Sequence, residues 1–385
     1  MTIGVIAEFN PFHNGHVYLI EQIKKKYPDA TLVLVMSGNF TQRGIPSIIN
    51  KWDKTELSLK YGIDLVIELP LPYVIQSADF FAYGGVTLLE KLKVDRLIFG
   101  SESDDITILE DIADIQLNNN EFDNLVKLYC KSGYNYPTAL SLSIEELSGK
   151  KITTPNDLLG ISYIKTIKEN NYNIKYECIK RTNDYNSISL EEEISSATAI
   201  RKAIKDKVII EKQVPIETLY YLNRPIFIDD FFKYLKYKII TEKDLSIYNN
   251  VDKDIESKLK KEIINSTNID EYINKLKTKR YTYNRLSRML LHILLNFTNE
   301  RSNLFNNISY IRLLGFNDKG RIYLNKIKKE IDIPIISKIT REKDDMLEYE
   351  LETTKIYGLV YDNIDELLDK EFQNKLYKED LWKRK

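Results

Sequence analysis

Ile3-Gly4-Val5-Ile6-Ala7-Glu8-Phe9-Asn10-Pro11-Phe12-His13-Asn14-Gly15-His16 is the stretch whose reading decides the fold. Ile3 to Ala7 is a short apolar run of the kind buried in a sheet. Asn10-Pro11 ends it, because proline has no N–H for a ladder and keeps the residue before it out of helical angles. From Asn14 onward Val17, Leu19, Ile20 and Ile23 fall at spacings that share a helix face, and Lys24-Lys25-Lys26 suit the negative end of a helix. The expected order is strand, tight turn, helix. Such a turn offers unpaired backbone N–H groups at the positive end of a helix dipole, which is an anion site. His13 and His16 stand in it three residues apart, and Gly15 between them leaves the backbone open to close approach. A histidine pair at a helix start can also serve only as a cap. Here two of the chain's three histidines share one turn directly after the first strand, which favours a binding role. No third histidine and no cysteine lies nearby, so the pair does not read as zinc ligands, and no dedicated protein metal site is expected.

Outward from this turn the chain alternates. Residues 31–36, 63–68, 94–99 and 174–179 are the next strand candidates, with helical patterns at about 51–61 and 77–92. Three of the four strands are continuous aliphatic and β-branched runs, as in strands covered on both faces. The order predicts an α/β fold built on a Rossmann-like, doubly wound parallel sheet, whose ligands sit beyond the carboxyl ends of the strands. A polar, helical stretch at about 106–170 reads as an insertion before the last strand. Beyond about 205 the alternation stops, and helices are expected at 216–222, 231–239, 255–264, 269–276 and 283–295, followed by a mixed tail. The expected division is therefore 1–204 for the α/β part and 205–385 for a mainly helical domain packed closely against it.

The length suggests two or three domains. A chain of 385 residues has ample core, and 56 basic against 57 acidic residues give a net charge of -1, so any nucleic-acid site has to be a local patch. Cys130 and Cys178 are far apart and in no metal spacing, which fits a reducing compartment. No signal peptide is read at the start, and no apolar run approaches the ~20 residues needed to cross a bilayer, so no membrane partner and a cytoplasmic location are expected.

The loops after the strands are the site candidates. Arg43, in a glycine-flanked loop after the second strand, can reach phosphate or carboxylate oxygens with its planar fork, or it is an exposed loop arginine. Gly100 ends the fourth strand, where a nucleotide can pass over the backbone. Glu102, Asp104 and Asp105 either hold magnesium or simply start a helix. Asn156 either bonds a base or ribose or caps the helix that follows. Ser195-Ser196-Ala197-Thr198-Ala199-Ile200-Arg201 is a Ser/Thr-rich turn entering a helix: either an N-cap with a surface arginine or, since on this fold it would lie opposite the histidines, a second phosphate-binding end.

Phe9 to His16 resembles the HxGH signature of adenylyl- and cytidylyltransferases. Together with Met36 to Gly44, Asp64 to Pro70, Phe99 to Glu102, Ser195 to Arg201 and Tyr310 to Phe316, it resembles the bacterial tRNA(Met) cytidine acetate ligase family over essentially the whole chain. That resemblance implies ATP contacts from Ile6, Ala7, Glu8, Phe9, Asn10, Pro11, Phe12, His13, Asn14, Gly15, His16, Val17, Tyr18 and Leu19, and from Gly100, Asn156 and Arg181. In the wider superfamily the turn of Ser196 and Thr198 with Arg201 has the phosphate role. It also implies catalytic roles for His13, His16 and Arg201, with ATP, acetate and elongator tRNA(Met) as substrates. Magnesium would accompany the triphosphate. An acetyl-adenylate would form first, and its acetyl group would then pass to the exocyclic amine of the wobble cytidine. The histidine motif alone leaves two other readings open: an adenylyltransferase making a dinucleotide-type cofactor, and a non-catalytic RNA- or nucleotide-binding regulator.

Charge is unevenly spread along the helical half. Between Glu271 and Lys329 thirteen basic residues face three acidic ones, interleaved with Tyr281, Tyr283, Tyr310 and Tyr323, which suit stacking on unpaired bases. Arg285 and Arg288 share a helix face by their spacing, as does His292 beyond them. With Arg312 and Arg321 these two arginines are the expected tRNA contacts.

Overall fold

The computed structural model describes residues 1–181, 194–304, 306–340 and 344–372. The last thirteen positions assigned above to the helical part lie outside them. Among the described residues seven strands form one sheet: β1 (Thr2–Ala7), β2 (Thr31–Ser37), β3 (Leu65–Leu69), β4 (Arg96–Ser101), β5 (Lys175–Lys180), β6 (Ile311–Phe316) and β7 (Ile335–Ile336). Their order is β5-β4-β1-β2-β3-β6-β7. The first five are parallel, as expected from the alternating pattern. The aliphatic runs of β2 and β3 are buried along their length, which is why they read as continuous rather than alternating.

The winding reverses beside β1. From β1 the chain steps outward through β2 to β3, then crosses back to β4 and β5 on the other side. A crevice opens beyond the carboxyl ends of the strands at such a reversal, and ligands of doubly wound sheets bind there. The turn Glu8–His16 leaves β1 directly into it. The helix Asn14–Lys26 then returns along the sheet with Ile20 and Ile23 inward. The insertion is helical as expected, comprising Ile106–Asn118, Phe122–Lys131 and Tyr136–Ser148, before Pro155–Glu169 leads back to β5.

Beyond 205 the expected helices are present, including Phe232–Thr241, Lys253–Ile264, Ile269–Leu276 and Tyr283–Leu294. The tail differs from a simple helical cap. β6 adds to the sheet antiparallel to β3, pairing Leu65 with Phe316 and Glu68 with Arg312, with an irregularity between Val66 and Ile67. One sheet thus spans the division expected near 205.

A charge cluster lies inside this seam. Lys51 Nζ meets Glu68 Oε2 at 2.9 Å and Glu371 Oε1 at 2.6 Å, and Arg312 Nη2 meets Glu371 Oε2 at 2.8 Å. Arg312 is 1% exposed, so the expectation that it contacts tRNA is corrected. A charge is tolerated there because the carboxylate of the helix Ile364–Phe372 compensates it.

Arg321 is also displaced from its expected role. It is exposed on the helix Asp318–Ile327 and pairs with Asp318 on its own helix at 2.9 Å. That helix sits at the amino ends of the strands. Lys319 Nζ bonds Ala30 O at 2.6 Å just before β2, and Tyr323 Oη bonds Leu92 O at 2.6 Å before β4. A Cβ on Gly320 would stand 1.9 Å from Asp64 O, so only glycine allows this approach. Arg321 is therefore at the opposite end of the sheet from the crevice. Among the described residues no helix is long and apolar enough to cross a membrane.

Candidate active site

The turn after β1 is built by its own hydrogen bonds. His13 is the N-cap of the first helix: its Nδ1 accepts from Gly15 N at 3.0 Å, while His16 Nδ1 accepts from His13 N at 3.2 Å. The rings stack with centroids 3.8 Å apart. A neutral imidazole whose Nδ1 accepts carries its proton on Nε2, so each ring keeps one N–H for a ligand. Both are held neutral. Burial, then Arg181 and Arg201, pushes His13 down to about 3, and burial, then His13 and Arg181, holds His16 well below the usual imidazole range. Capping and ligand binding, set against each other in the sequence, are compatible, because the cap uses Nδ1 of each ring and not Nε2.

Across the crevice the turn Ser195–Thr198 enters the helix Ala197–Lys205, with Ser196 Oγ accepting from Ala199 N at 3.1 Å as its cap. Arg43 Nη1 and Arg201 Nη2 both donate to Thr198 Oγ1, at 2.9 and 3.2 Å, and Arg201 Nη1 donates to Asn10 O at 2.7 Å. Burial, and next the neighbouring Arg43, pushes Arg201 down to about 10, so both guanidiniums remain charged near pH 7. Two cations converging on one hydroxyl beside two imidazole N–H donors form a site for a multiply charged anion. Arg43 thus lines the cleft and is bonded to Thr198.

Lys54 is a residue that sequence reading missed. Its amine, fully buried on the helix Lys51–Lys60, donates to Glu8 O at 2.9 Å, Ser37 O at 2.8 Å and Gly38 O at 2.9 Å, tying the ends of β1 and β2 together. Burial pushes it down to about 7, against the pull of Glu8 and Glu68. The signal available was a lysine on a helix whose neighbours Trp52, Thr55 and Leu57 read as core. Glu8 Oε1 in turn accepts from Gln42 N at 2.7 Å and Ser37 Oγ at 3.3 Å.

These elements enclose a cleft of about 990 Å³. Of the expected ATP contacts, Ile6, Ala7, Glu8, Phe9, Asn10, His13, Gly15, His16, Tyr18 and Leu19 line it, as do Gly100, Asn156, Arg181, Ser196, Thr198 and Arg201. Pro11, Phe12, Asn14 and Val17 do not. Phe12 is core, edge-on to Phe9 at 4.9 Å, and Asn14 bonds outward to Lys212 O at 2.8 Å. The acidic group near Gly100 is structural. Asp105 caps its helix through Thr107 N and Ile108 N, both at 3.1 Å, and Glu102 pairs with Arg181 at 3.7 Å and bonds Asn156. Among the described residues no group of three or more His, Cys, Asp or Glu is arranged to hold a metal ion.

The basic helix Tyr283–Leu294 forms another wall of the same cleft, to which Arg280, Arg285 and Arg288 contribute. Ser287 Oγ donates to Gly44 O at 2.9 Å, and Gly44, at φ +77°, would put a Cβ 2.3 Å from Arg288 N. Only glycine lets the helix dock on the Arg43 loop this closely. Arg288 Nη1 approaches Gln42 O at 3.4 Å. His292 points the other way, buried between Asn249 O at 2.9 Å and Ile75 O at 2.7 Å. The four tyrosines of this segment are structural too: Tyr310 is core, Tyr281 bonds Asp252 at 2.5 Å, Tyr283 bonds Asp270 at 2.5 Å, and Tyr323 is tied to the strand-edge carbonyls described above. None of them lines the cleft.

A doubly wound sheet with paired imidazole donors on its first turn and a Ser/Thr–Arg helix start opposite defines a nucleotidyl transfer site. The family model of the HIGH nucleotidyl transferases matches residues 1–371. The chain is 37% identical over 388 aligned residues to the tRNA(Met) cytidine acetate ligase of Caldicellulosiruptor saccharolyticus, covering 96% of each chain. It is 39% identical over 384 residues to that of Caldanaerobacter subterraneus, covering 94% of this chain and 96% of the relative. The chain belongs to the tRNA(Met) cytidine acetate ligase family within the HIGH nucleotidyl transferases. Among solved structures it is similar to apo Thermotoga maritima TmcAL, with a TM-score of 0.89, 26% identity and coverage of 98% and 99% of the two chains. To the same protein bound with alpha-thio ATP the TM-score is 0.87.

Proposed function

We propose that this chain joins acetate to ATP as acetyl-adenylate and then acetylates the exocyclic amine of the wobble cytidine of elongator tRNA(Met), releasing AMP and pyrophosphate. The observation that carries this reading is one cleft shared by the neutral histidine pair, the Arg43–Thr198–Arg201 group and an arginine-lined helix from the other half of the chain. In the first step an acetate oxygen attacks the α-phosphorus, the bond from that phosphorus to the bridging oxygen breaks, and pyrophosphate leaves. The Nε2–H groups of His13 and His16 and the helix N-terminus donate to phosphate oxygens, and Arg43 and Arg201 take up the charge of the departing pyrophosphate. In the second step the cytidine amine attacks the acetyl carbonyl carbon, AMP departs, and the amine gives up a proton. Gly100, Asn156 and Arg181 flank the nucleoside end of ATP.

Magnesium would arrive on the triphosphate. Glu8 and Asp79 are the carboxylates that line the cleft, and among the described residues no cluster of three or more ligands accompanies them, so phosphate oxygens and water would make most of its shell. The α/β part with its insertion then carries ATP, Arg285 and Arg288 of the helical part carry tRNA phosphates, and the setting is cytoplasmic. Incubation with ATP, labelled acetate and tRNA tests the whole reading. Label in the cytidine of elongator tRNA(Met), with AMP and pyrophosphate formed in equal amounts, is the expected result. Pyrophosphate without labelled tRNA, or neither product, would overturn it.

A further inference from the structure

Of the large apolar side chains that remain exposed among the described residues, two line the cleft, and both are aromatic: Phe80, 48% exposed, and Tyr136, 54% exposed. They come from different elements. Phe80 is in the first turn of the helix Ala78–Lys91, and Tyr136 opens the insertion helix Tyr136–Ser148. Asp79, next to Phe80 and within electrostatic reach of Tyr136, also lines the cleft; Ser162 Oγ donates to its Oδ1 at 3.2 Å and Lys165 Nζ lies 3.7 Å from that same oxygen. Two aromatic faces left exposed in one crevice suit a ligand with a flat apolar face.

The reaction centre is tied to this wall by a short path. Gln42 N bonds Glu8 Oε1 at 2.7 Å beside the histidine turn, and Gln42 Nε2 bonds Gln76 O at 3.2 Å, immediately ahead of Ser77, Ala78 and Asp79. Arg288 bonds the carbonyl of the same Gln42. Gln42 thus links Glu8, Arg288 and the turn that leads into Asp79 and Phe80. The cleft volume is at the upper end of the roughly 300–1,000 Å³ that holds one drug-sized ligand, which leaves room for a base beside a nucleotide.

We propose that Phe80, Tyr136 and Asp79 form the pocket for the acceptor nucleobase, a cytosine turned out of a single-stranded RNA loop. The inference rests on the tRNA reading above and adds to it where the base goes and what selects it. Phe80 and Tyr136 stack on the base, as aromatic side chains do when single-stranded loops are read. The Asp79 carboxylate accepts from the N4 amine, a donor that cytosine has and uracil lacks at that position. Arg285 and Arg288, on the facing wall, take the flanking phosphates and fix the loop's register.

The test uses the full chain with Phe80→Ala, Tyr136→Ala, Tyr136→Phe and Asp79→Asn, all at partly exposed positions. Affinity is measured for an anticodon stem-loop carrying cytidine or uridine at the wobble position, and separately for ATP. The two alanine variants should each weaken the cytidine loop about tenfold or more with ATP affinity unchanged, and Tyr136→Phe should restore it. Asp79→Asn should erase most of the preference for cytidine over uridine. Weakened ATP binding would make the wall an adenine site and overturn the proposal, as would unchanged loop affinity in both alanine variants. Acetylation of tRNA by the unaltered chain is the control. If the control fails, the tRNA reading falls, whereas a working control with unaffected variants sinks only the pocket.

Discussion

Acid should destabilise this protein through its active-site histidines, and the size of the effect can be worked out. Burial pushes His13 down to about 3 and holds His16 well below the ordinary range, whereas a histidine in an unfolded chain titrates near 6.5. The folded pKa is the lower one, so below pH 6.5 the unfolded chain binds more protons. Stability therefore falls as pH drops through 6.5 and goes on falling toward the folded value. Between pH 7.5 and 5.5 each such histidine costs about 1.4 kcal/mol. Asp53, which burial pushes up to about 6, acts in the opposite sense, gaining stability as pH falls through 6. A comparison with the double variant His13→Asn/His16→Asn cancels that term, and asparagine at position 13 keeps a capping oxygen. Urea unfolding at the two pH values should show the unaltered chain losing about 3 kcal/mol more than the variant. Parallel pH curves would refute the neutral-donor description of the pair. A bound triphosphate brings negative charge beside the rings and should raise both pKa values.

Other perturbations separate the roles of the charged residues. His13→Ala or His16→Ala should lower acetate-dependent pyrophosphate release by about 10²-fold, the scale for losing one preorganised donor, and normal release by both would remove them from the chemistry. Arg285→Ala/Arg288→Ala should weaken tRNA binding and flatten its salt dependence by roughly one to two units of slope. Arg321→Ala, at the far end of the sheet, should leave both affinity and slope as they are, and a filter-binding series at several salt concentrations reads both variants. Arg312→Ala should cost about 3–5 kcal/mol in unfolding free energy, because it leaves Glu371 short of a partner inside the seam, and a loss below 1 kcal/mol would show the cluster to be slack. Lys54→Met should raise the KM for ATP and lower kcat together, since it frees the three carbonyls that hold the ends of β1 and β2. A change in thermal stability alone would reduce it to a packing residue.

The local parts of this molecule were legible and the non-local parts were not. A strand, a proline-ended turn and a helix with two histidines follow from residues within a dozen positions of one another, because capping and dipole effects act over one turn. The same holds for Ser196, which caps its own helix through Ala199 N. The basic segment from Glu271 to Lys329 reads as a single patch only because a charge count has no direction. In space it has three destinations: Arg285 and Arg288 face the cleft, Arg312 is buried, and Arg321 lies at the opposite end of the sheet. What sends Arg312 inside is Glu371, fifty-nine residues away, together with Glu68 and Lys51 in the other half of the chain. No periodicity within Tyr310-Ile311-Arg312-Leu313-Leu314-Gly315-Phe316 reveals that partner, although β-branched and aliphatic neighbours were compatible with a strand.

The aromatic residues show the same limit from the other side. Tyrosines were expected to meet RNA because they lie among basic residues in sequence, yet Tyr281, Tyr283, Tyr310 and Tyr323 each find an internal partner or a place in the core. Phe80 and Tyr136 had no basic neighbour to draw attention to them. The charge beside them is supplied across the cleft, by a helix that Gly44 allows to dock within van der Waals reach of the Arg43 loop. An enzyme that must hold a triphosphate and an RNA base together needs cations on both sides of one crevice. A fold that draws those cations from opposite halves of its chain couples the two ligands through the docking of that helix. Replacing Gly44 with alanine should therefore disturb ATP and tRNA binding together, although the residue does not line the cleft. If kinetics on Gly44→Ala showed a change in the KM for only one of them, the two walls would have to be regarded as independent.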